Sequence, residues 1–225
     1  MSESNGMLRI GDEAPNFTAV TTHTPEFGFS AWQEQEWVVL FSHPGDFTPV
    51  CTTELIEFAH QYDRFRRRAV KLVGLSVDSV YAHLAWLQNI KEKMGVTIPY
   101  PIIADADMKV SRLYGMLDPG ASNTATVRVV FIIDPKRTIR ATLSYPMNIG
   151  RNIDEIYRLV VALQTADRFG CAIPANWQEG EKVVIPPPKT VHELEERLKQ
   201  PENDAKDFYL VFKDLPSRRS SSESP

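Results

Sequence analysis

The residues best placed to do chemistry lie in one stretch, Val38-Val39-Leu40-Phe41-Ser42-His43-Pro44-Gly45-Asp46-Phe47-Thr48-Pro49-Val50-Cys51. It reads as a buried strand, a loop punctuated by proline and glycine, and the start of a helix with Cys51 in its first turn. Unpaired N–H groups at a helix start carry partial positive charge and favour an anion there. The anion of cysteine is the thiolate, its nucleophilic form. Thr48 fits the N-cap and Pro49 the first helical position, where a missing N–H costs nothing. The Thr48 hydroxyl then lies near the sulfur, and a hydroxyl that donates to one group and accepts from another can orient an incoming oxygen. Glu54 is expected in the first turn, where a carboxylate suits the dipole. Each residue also has a plainer reading: free cysteine is among the most buried residue types, and Thr48 and Glu54 suit ordinary capping.

The hydrophobic pattern gives the elements that must hold this stretch. Trp37-Val38-Val39-Leu40-Phe41 is a continuous apolar run, as in a strand buried on both faces of a central sheet. Leu55, Phe58, Tyr62, Phe65 and Ala69 recur at helical spacing and predict a helix from Thr52 to about Arg68. Its basic end (Arg64, Arg66, Arg67, Arg68) suits the dipole and reads as a solvated helix end or an anionic partner site. Residues 70–77 predict a second strand. Ser79 then caps a helix with Val80, Leu84, Leu87 and Met94 on one face. Ile102-Ile103-Ala104 reads as a short strand, and Asp105 or Asp107 can cap a short helix through Tyr114. Thr126 to Asp134 and Thr138 to Tyr145 form a hairpin signal around Asp134-Pro135-Lys136-Arg137. A helix follows over 152–167 with Ile153, Ile156, Val160 and Leu163 inward. The alternation predicts an α/β fold, a sheet with helices on its faces and late antiparallel strands.

The composition shifts at Gly170. Pro186-Pro187-Pro188 belongs to a stiff connector, Thr190 to Glu193 looks like a capping box opening a helix to Gln200, and Phe208 to Phe212 reads as a strand. This predicts a main domain over 1–170, a small extension over 171–215 that packs on the main domain or on a second subunit, and a disordered tail over 216–225. A net charge of −4 argues against nucleic acid as the main partner, and no apolar run reaches membrane-spanning length. The chain has 2 cysteines, Cys51 and Cys171, far apart in sequence. That is neither a disulfide framework nor zinc-ligand spacing. With no signal-peptide pattern at the N-terminus, it predicts a cytoplasmic setting.

Pro44-x-x-x-Thr48-x-x-Cys51, within Phe41 to Glu54, resembles the peroxidatic motif of the peroxiredoxins, the AhpC/TSA family. Val127 to Pro135 resembles the family's arginine-bearing strand, and Gly150-Arg151-Asn152 its second arginine position. Pro174-Ala175-Asn176-Trp177-Gln178-Glu179-Gly180 is similar to the join to the C-terminal extension of the 1-Cys subfamily. The resemblance implies a thioredoxin-like fold and a thiol peroxidase that reduces hydrogen peroxide and organic hydroperoxides. Cys51 would be the peroxidatic thiolate, oxidised to sulfenic acid. Thr48 would hydrogen-bond the peroxide, and Arg128 would stabilise the thiolate and the charge developing across the O–O bond. Pro44 would shield the sulfur, His43 would contact sulfur or substrate, and Arg151 and Glu54 would support the pocket. No metal or other cofactor is implied, since sulfur supplies the redox chemistry. The partners implied are a hydroperoxide, an external thiol reductant and further copies of the chain, as a dimer or a decamer. Arg128 also interrupts an apolar run, and a buried charge needs a partner.

Two departures from the family narrow the expectation. Ile173 stands where two-cysteine relatives carry a resolving cysteine, and Cys171 lies two residues earlier, so Cys171 is read as structural, with an intersubunit disulfide as the alternative. The stretch Gln33-Glu34-Gln35-Glu36-Trp37 lacks the serine nucleophile of relatives that hydrolyse phospholipids, and Ser30 lacks the flanking glycine, so no lipase activity is expected. Three other classes compete. A thiol–disulfide oxidoreductase is disfavoured because Thr48 stands where a Cys-x-x-Cys motif has its first thiol. A redox-regulated holdase or peroxide sensor would use the same fold. A cysteine hydrolase would need His43 as base, with nothing evident to orient it. His23, His60, His83 and His192 show no clustering and are expected to have no role.

Overall fold

The computed structural model describes residues 6–117, 120, 125–199 and 204–216. The chain divides into two compact units, Met1–Ile153 and Asp154–Pro225. In chain order the first contains β1 (Thr18–Thr21), β2 (Phe27–Gly28), α1 (Phe29–Gln33), β3 (Trp37–Ser42), α2 (Pro49–His60), α3 (Tyr62–Arg66), β4 (Val70–Ser76), α4 (Val80–Met94), β5 (Ile102–Ala104), α5 (Lys109–Leu113), β6 (Arg128–Ile133) and β7 (Ile139–Tyr145). Among the described residues its strands form one sheet in the order β2-β1-β5-β4-β3-β6-β7. Strand β3 runs parallel to β4 and antiparallel to β6, and β6 and β7 form the expected hairpin. Every residue of β3 is buried, as its unbroken apolar run requires of a central strand.

Side-chain alternation splits the core and aims the functional residues. Val38 and Leu40 join Val73, Leu75, Val129, Phe131 and Ile133 in one cluster with Phe17, Phe29 and Tyr114. Phe41 points to the opposite face, and it pairs in register with Val130. There the ring of Phe41 stacks on Phe58 of α2 with centroids 4.2 Å apart, and the Tyr100 hydroxyl donates to the Leu55 carbonyl at 2.9 Å. Burying Phe41 and Phe58 stabilises by roughly 1.5–3 kcal/mol each and seats α2 on this face. Arg128 lies two residues before Val130 in β6, so the same alternation puts it on the α2 side.

Several elements depart from the sequence expectation. The helix expected over 52–68 starts at Pro49 and is two helices, α2 and α3, separated by Gln61 at φ −93° and ψ 0°. Phe58 and Phe65 are both fully buried, so one residue outside helical geometry interrupts the hydrogen bonding without moving the apolar stripe. Ser79 does cap α4, accepting from the Ala82 N–H at 3.2 Å. The buried face of α4 is His83, Trp86 and Ile90, while Leu84 and Met94 are exposed. Hydropathy ranks histidine as a surface residue, but partners for both ring nitrogens let His83 define the inner face. Asp105 caps α5, accepting from the N–H groups of Val110 at 3.0 Å and Ser111 at 2.7 Å. Arg66, in the basic run, pairs with Glu36 at 2.8 Å.

In the second unit, α6 (Ile153–Phe169) buries Ile156 and Val160, with Leu163 half-buried. β8 (Val183–Val184), α7 (Val191–Lys199), β9 (Ala205–Asp207) and β10 (Leu210–Lys213) follow, the strands in the order β8-β10-β9. Thr190 accepts from the Glu193 N–H at 3.1 Å, while the Glu193 carboxylate accepts from the Lys189 N–H at 2.6 Å, so the cap is reciprocal but one residue wider than a capping box. The last strand begins at Leu210, because Phe208 and Tyr209 make the turn out of β9. The expected helix end at Gln200 and the tail beyond Pro216 lie outside the described residues.

Candidate active site

The N-terminus of α2 sits at the end of β3, with Thr48 as N-cap in extended geometry and Pro49 at the first helical position. Cys51 is fully buried. The Thr48 hydroxyl does not cap the helix. It donates to the Gly45 carbonyl at 2.8 Å, which leaves the oxygen's acceptor capacity free. Phe47, just before it, has φ 55°, a left-handed conformation that costs a bulky residue energy and must be held by its surroundings. The loop is held by the Asp46 N–H, which donates to Asp78 Oδ2 at 3.0 Å.

Arg128 reaches Cys51 from β6. Its Nη1 donates to Cys51 Sγ at 3.4 Å and to Glu54 Oε2 at 2.6 Å, and its Nε donates to the Met147 carbonyl at 2.9 Å. Glu54 is the sixth residue of α2 rather than a first-turn residue, and it neither caps the helix nor faces solvent. It accepts from Arg151 through Nε to Oε1 at 2.9 Å and Nη2 to Oε2 at 2.6 Å, and from the Arg151 N–H at 2.8 Å. Arg151 Nη1 also donates to the Ser42 carbonyl at 2.9 Å, and its guanidinium lies over the ring of Phe41. All three charged side chains are at most 3% exposed. Two guanidinium groups against one carboxylate leave an excess positive charge in a buried site, and a buried charge requires a counter-charge. The sulfur of Cys51 is the second acceptor that Arg128 Nη1 reaches, beside Glu54.

His43 follows β3 and is fully buried, with Nε2 on Asp46 Oδ1 at 3.0 Å. Burial holds its proton affinity below the ordinary histidine value, against the opposing pull of Asp46. Pro44 is half-buried in the same loop. The expectation that the other histidines do not cluster fails for His83. Its Nδ1 lies 2.6 Å from Asp46 Oδ2, so His43, Asp46 and His83 form one group. Burial alone would raise the Asp46 carboxyl, but hydrogen bonds from the two histidines bring it below the usual aspartate value. The expectation that nothing orients His43 fails too: Asp46, three residues on within the motif, does so, and that spacing is the local signal that was passed over. Nothing in the sequence links Asp46 to His83, which arrives from α4. In the second unit, Cys171 is partly buried and directs its thiol at the Thr165 carbonyl, 3.8 Å away, and burial pushes the thiol up. Ser30, in α1, accepts from Arg137 Nη1 at 3.4 Å.

Known proteins resemble this chain in sequence and in fold. The AhpC/TSA family model matches residues 10–142, and the C-terminal domain of 1-Cys peroxiredoxin matches residues 162–200. The chain is 52% identical over 206 residues to Peroxiredoxin 2 of Caldanaerobacter subterraneus subsp. tengcongensis, covering 91% of this chain and 92% of the relative. It is 50% identical over 215 residues to a peroxiredoxin of Aquifex aeolicus, covering 91% and 96%. Among solved structures, a yeast mitochondrial 1-Cys peroxiredoxin, studied for thiol resolution by glutathione and thioredoxin systems, superposes with TM-score 0.82 at 42% identity, covering 93% of this chain and 100% of that one. A mutant of peroxiredoxin 6 of Arenicola marina gives TM-score 0.82 at 36% identity, covering 93% and 99%.

Proposed function

Because the chain belongs to the AhpC/TSA family, as a 1-Cys peroxiredoxin of thioredoxin-like fold and hence a thiol-dependent peroxidase, we propose that Cys51 is its peroxidatic sulfur and that Arg128, Thr48, Glu54 and Arg151 build the site around it. The observation that carries this is the donation from Arg128 Nη1 to a fully buried Cys51 Sγ at 3.4 Å. The thiolate attacks the distal oxygen of a hydroperoxide. The S–O bond forms, the O–O bond breaks, and its electron pair leaves on the alkoxide or hydroxide, which takes up a proton to depart as alcohol or water. Arg128 lies where it can stabilise the charge passing across the breaking bond. The Thr48 hydroxyl spends its proton on Gly45, so toward a peroxide it is an acceptor, suited to the hydroperoxyl O–H. Arg151 and Glu54 hold Arg128 in place, and Pro44 and His43 complete the pocket wall against water.

The resulting sulfenic acid condenses with one external thiol to a mixed disulfide and water, and a second thiol releases Cys51. Cys171 keeps its proton and serves as a structural residue in this reading. The functional division follows Gly170, with the peroxidase part before it and the extension after it. No helix among the described residues is long and apolar enough to cross a membrane, and two free thiols fit a reducing cytoplasm. The assembly we propose is a homo-oligomer based on a dimer. The small second unit exposes Val191, Leu198, Phe208 and Tyr209, and Phe47, Tyr81 and Leu84 are exposed in the first.

Peroxide consumption with dithiothreitol as reductant tests the central assignment. The wild-type protein is expected to turn over hydrogen peroxide and an alkyl hydroperoxide, and Cys51→Ser to be inactive on both. Retained activity in Cys51→Ser would sink the assignment.

A further inference from the structure

His83 is fully buried, yet nothing in the peroxidase chemistry so far employs it. Its Nε2 lies 3.2 Å from the Ile103 carbonyl. A carbonyl only accepts, so this nitrogen carries a proton. Its Nδ1 lies 2.6 Å from Asp46 Oδ2. A carboxylate only accepts as well, and hydrogen bonds from both histidines stabilise Asp46 in its ionised form. With Asp46 ionised, Nδ1 donates to it too, and the pair is then an imidazolium bound to a carboxylate. A shared metal ion would fit the residue types, but zinc holds nitrogen and oxygen ligands at about 2.0–2.2 Å, which sets tetrahedral neighbours about 3.3 Å apart. The observed 2.6 Å is far shorter than that and lies next to the roughly 2.7–2.9 Å of a charge-assisted N–H···O bond.

The other Asp46 oxygen meets His43 Nε2 at 3.0 Å, and His43 Nδ1 is buried without a hydrogen-bond partner. Asp46 is thus a fixed acceptor that selects the tautomer with its proton on Nε2, leaving the Nδ1 lone pair bare. The groups acting on the His43 ring are Asp46 from its own loop, His83 from α4 and Arg151 from the loop after β7, with the Trp86 ring packed at 5.3 Å. Asp78 reaches the relay only through the Asp46 N–H. The two cations oppose a second proton on His43, and Asp46 favours one.

We propose that His83 and Asp46 are positioning residues for the peroxidase site: His83, protonated on both nitrogens, pins Asp46, and Asp46 holds His43 neutral with its Nδ1 lone pair unprotonated. The proposal rests on the reading of His43 as part of the peroxide pocket. Its consequence is directional. Removing the positive charge of His83 leaves Asp46 acting on His43 alone, so His43 gains its second proton at higher pH.

Two measurements test it. Nitrogen-15 spectra of the histidines in the reduced wild-type protein at neutral pH are expected to show His83 protonated on both nitrogens and His43 on Nε2 only. A singly protonated His83, or a proton on His43 Nδ1, overturns the proposal without any variant. Stopped-flow oxidation of Cys51 by peroxide across pH is the second. His83→Gln, whose amide can still donate to the Ile103 carbonyl, is expected to slow oxidation about tenfold, below the roughly 10²–10⁴-fold carried by a proton-transfer group itself. It should also move the acid limb of the profile to higher pH. In a His43→Asn background His83→Gln should do neither. A slower rate with an unmoved acid limb, or the same shift in both backgrounds, overturns the relay. If His43→Asn alone oxidises at the wild-type rate, the place of His43 in the pocket falls and the relay with it. The role of Cys51 is judged separately by Cys51→Ser.

Discussion

A buried glutamate between two buried arginines is a costly arrangement unless every charge is answered. Glu54 answers Arg128 at 2.6 Å and Arg151 at 2.6 Å, all three nearly excluded from solvent. Removing one member of such a group leaves an unpaired buried charge and costs on the order of 3–5 kcal/mol. Glu54→Gln, nearly isosteric, is therefore expected to lower the urea unfolding free energy by about 3 kcal/mol and to slow Cys51 oxidation, because Arg128 loses the carboxylate that aims it. An unchanged urea midpoint would mean that the carboxylate is not holding the pair. Motif spacing and a charge inside an apolar strand are local signals, and they singled out Cys51, Thr48 and Arg128; Arg151 came from the family resemblance, and the structure gathers Cys51, Arg128 and Arg151 around Glu54. Position alone made Glu54 and Thr48 capping residues, whereas the family resemblance placed Thr48 on the peroxide and Glu54 in support of the pocket. What lay outside the sequence were their partners, Arg128 and Arg151 for one and the Gly45 carbonyl for the other. His83 was hidden for the same reason, since its partners come from a loop and a strand remote in sequence.

At the scale of elements, the site depends on strands whose hydrophobic runs leave little ambiguity and on turns that the sequence marks poorly. β3, β4 and the β6–β7 hairpin follow from apolar runs and turn residues, and period-2 alternation then brings Arg128 to the α2 face. The buried face of α4 was misassigned because hydropathy discounted His83. Turn geometry after α5 was equally silent. Gly115 sits at φ +67°, and a Cβ there would lie 2.4 Å from the Met7 Cα and 2.6 Å from its N, both backbone atoms. A side chain in left-handed geometry alone costs about 1–2 kcal/mol, and the clash displaces the N-terminal segment as well. Gly115→Ala is expected to lower Tm by roughly 5 °C or more while leaving Cys51 reactive at low temperature. Thermal unfolding followed by circular dichroism measures the first, and a Tm within a degree of wild type would contradict the backbone contact.

For the whole molecule, the contrast between the two units matters more than either fold. The first unit closes a core on both faces of its sheet, and burial on both faces is what made its central strands legible, though not their order. The second has a three-stranded sheet and a helix, α7, with no buried residue, and among the described residues Trp177, Val183 and Val211 alone are buried in the part beyond α6. Val191 is 72% exposed, Leu198 61% and Tyr209 55%. Residues 186–188 and the α7 side chains His192, Glu193, Glu196, Arg197 and Leu198 also line a cleft of about 680 Å³ with Phe208. So small a unit cannot balance the entropy of ordering its own chain by internal burial alone. Apolar surface left over in that situation is best covered by another copy of the chain, whose identical surface is always available. The wild-type protein is therefore expected to run as an oligomer in size-exclusion chromatography with light scattering. Leu198→Asp with Tyr209→Asp should shift it toward monomer at micromolar concentration, with Cys51 still oxidised by peroxide because the charged site lies wholly in the first unit. A wild-type protein that is monomeric at high concentration, or a double variant with unchanged mass, would show that this surface does not mediate assembly.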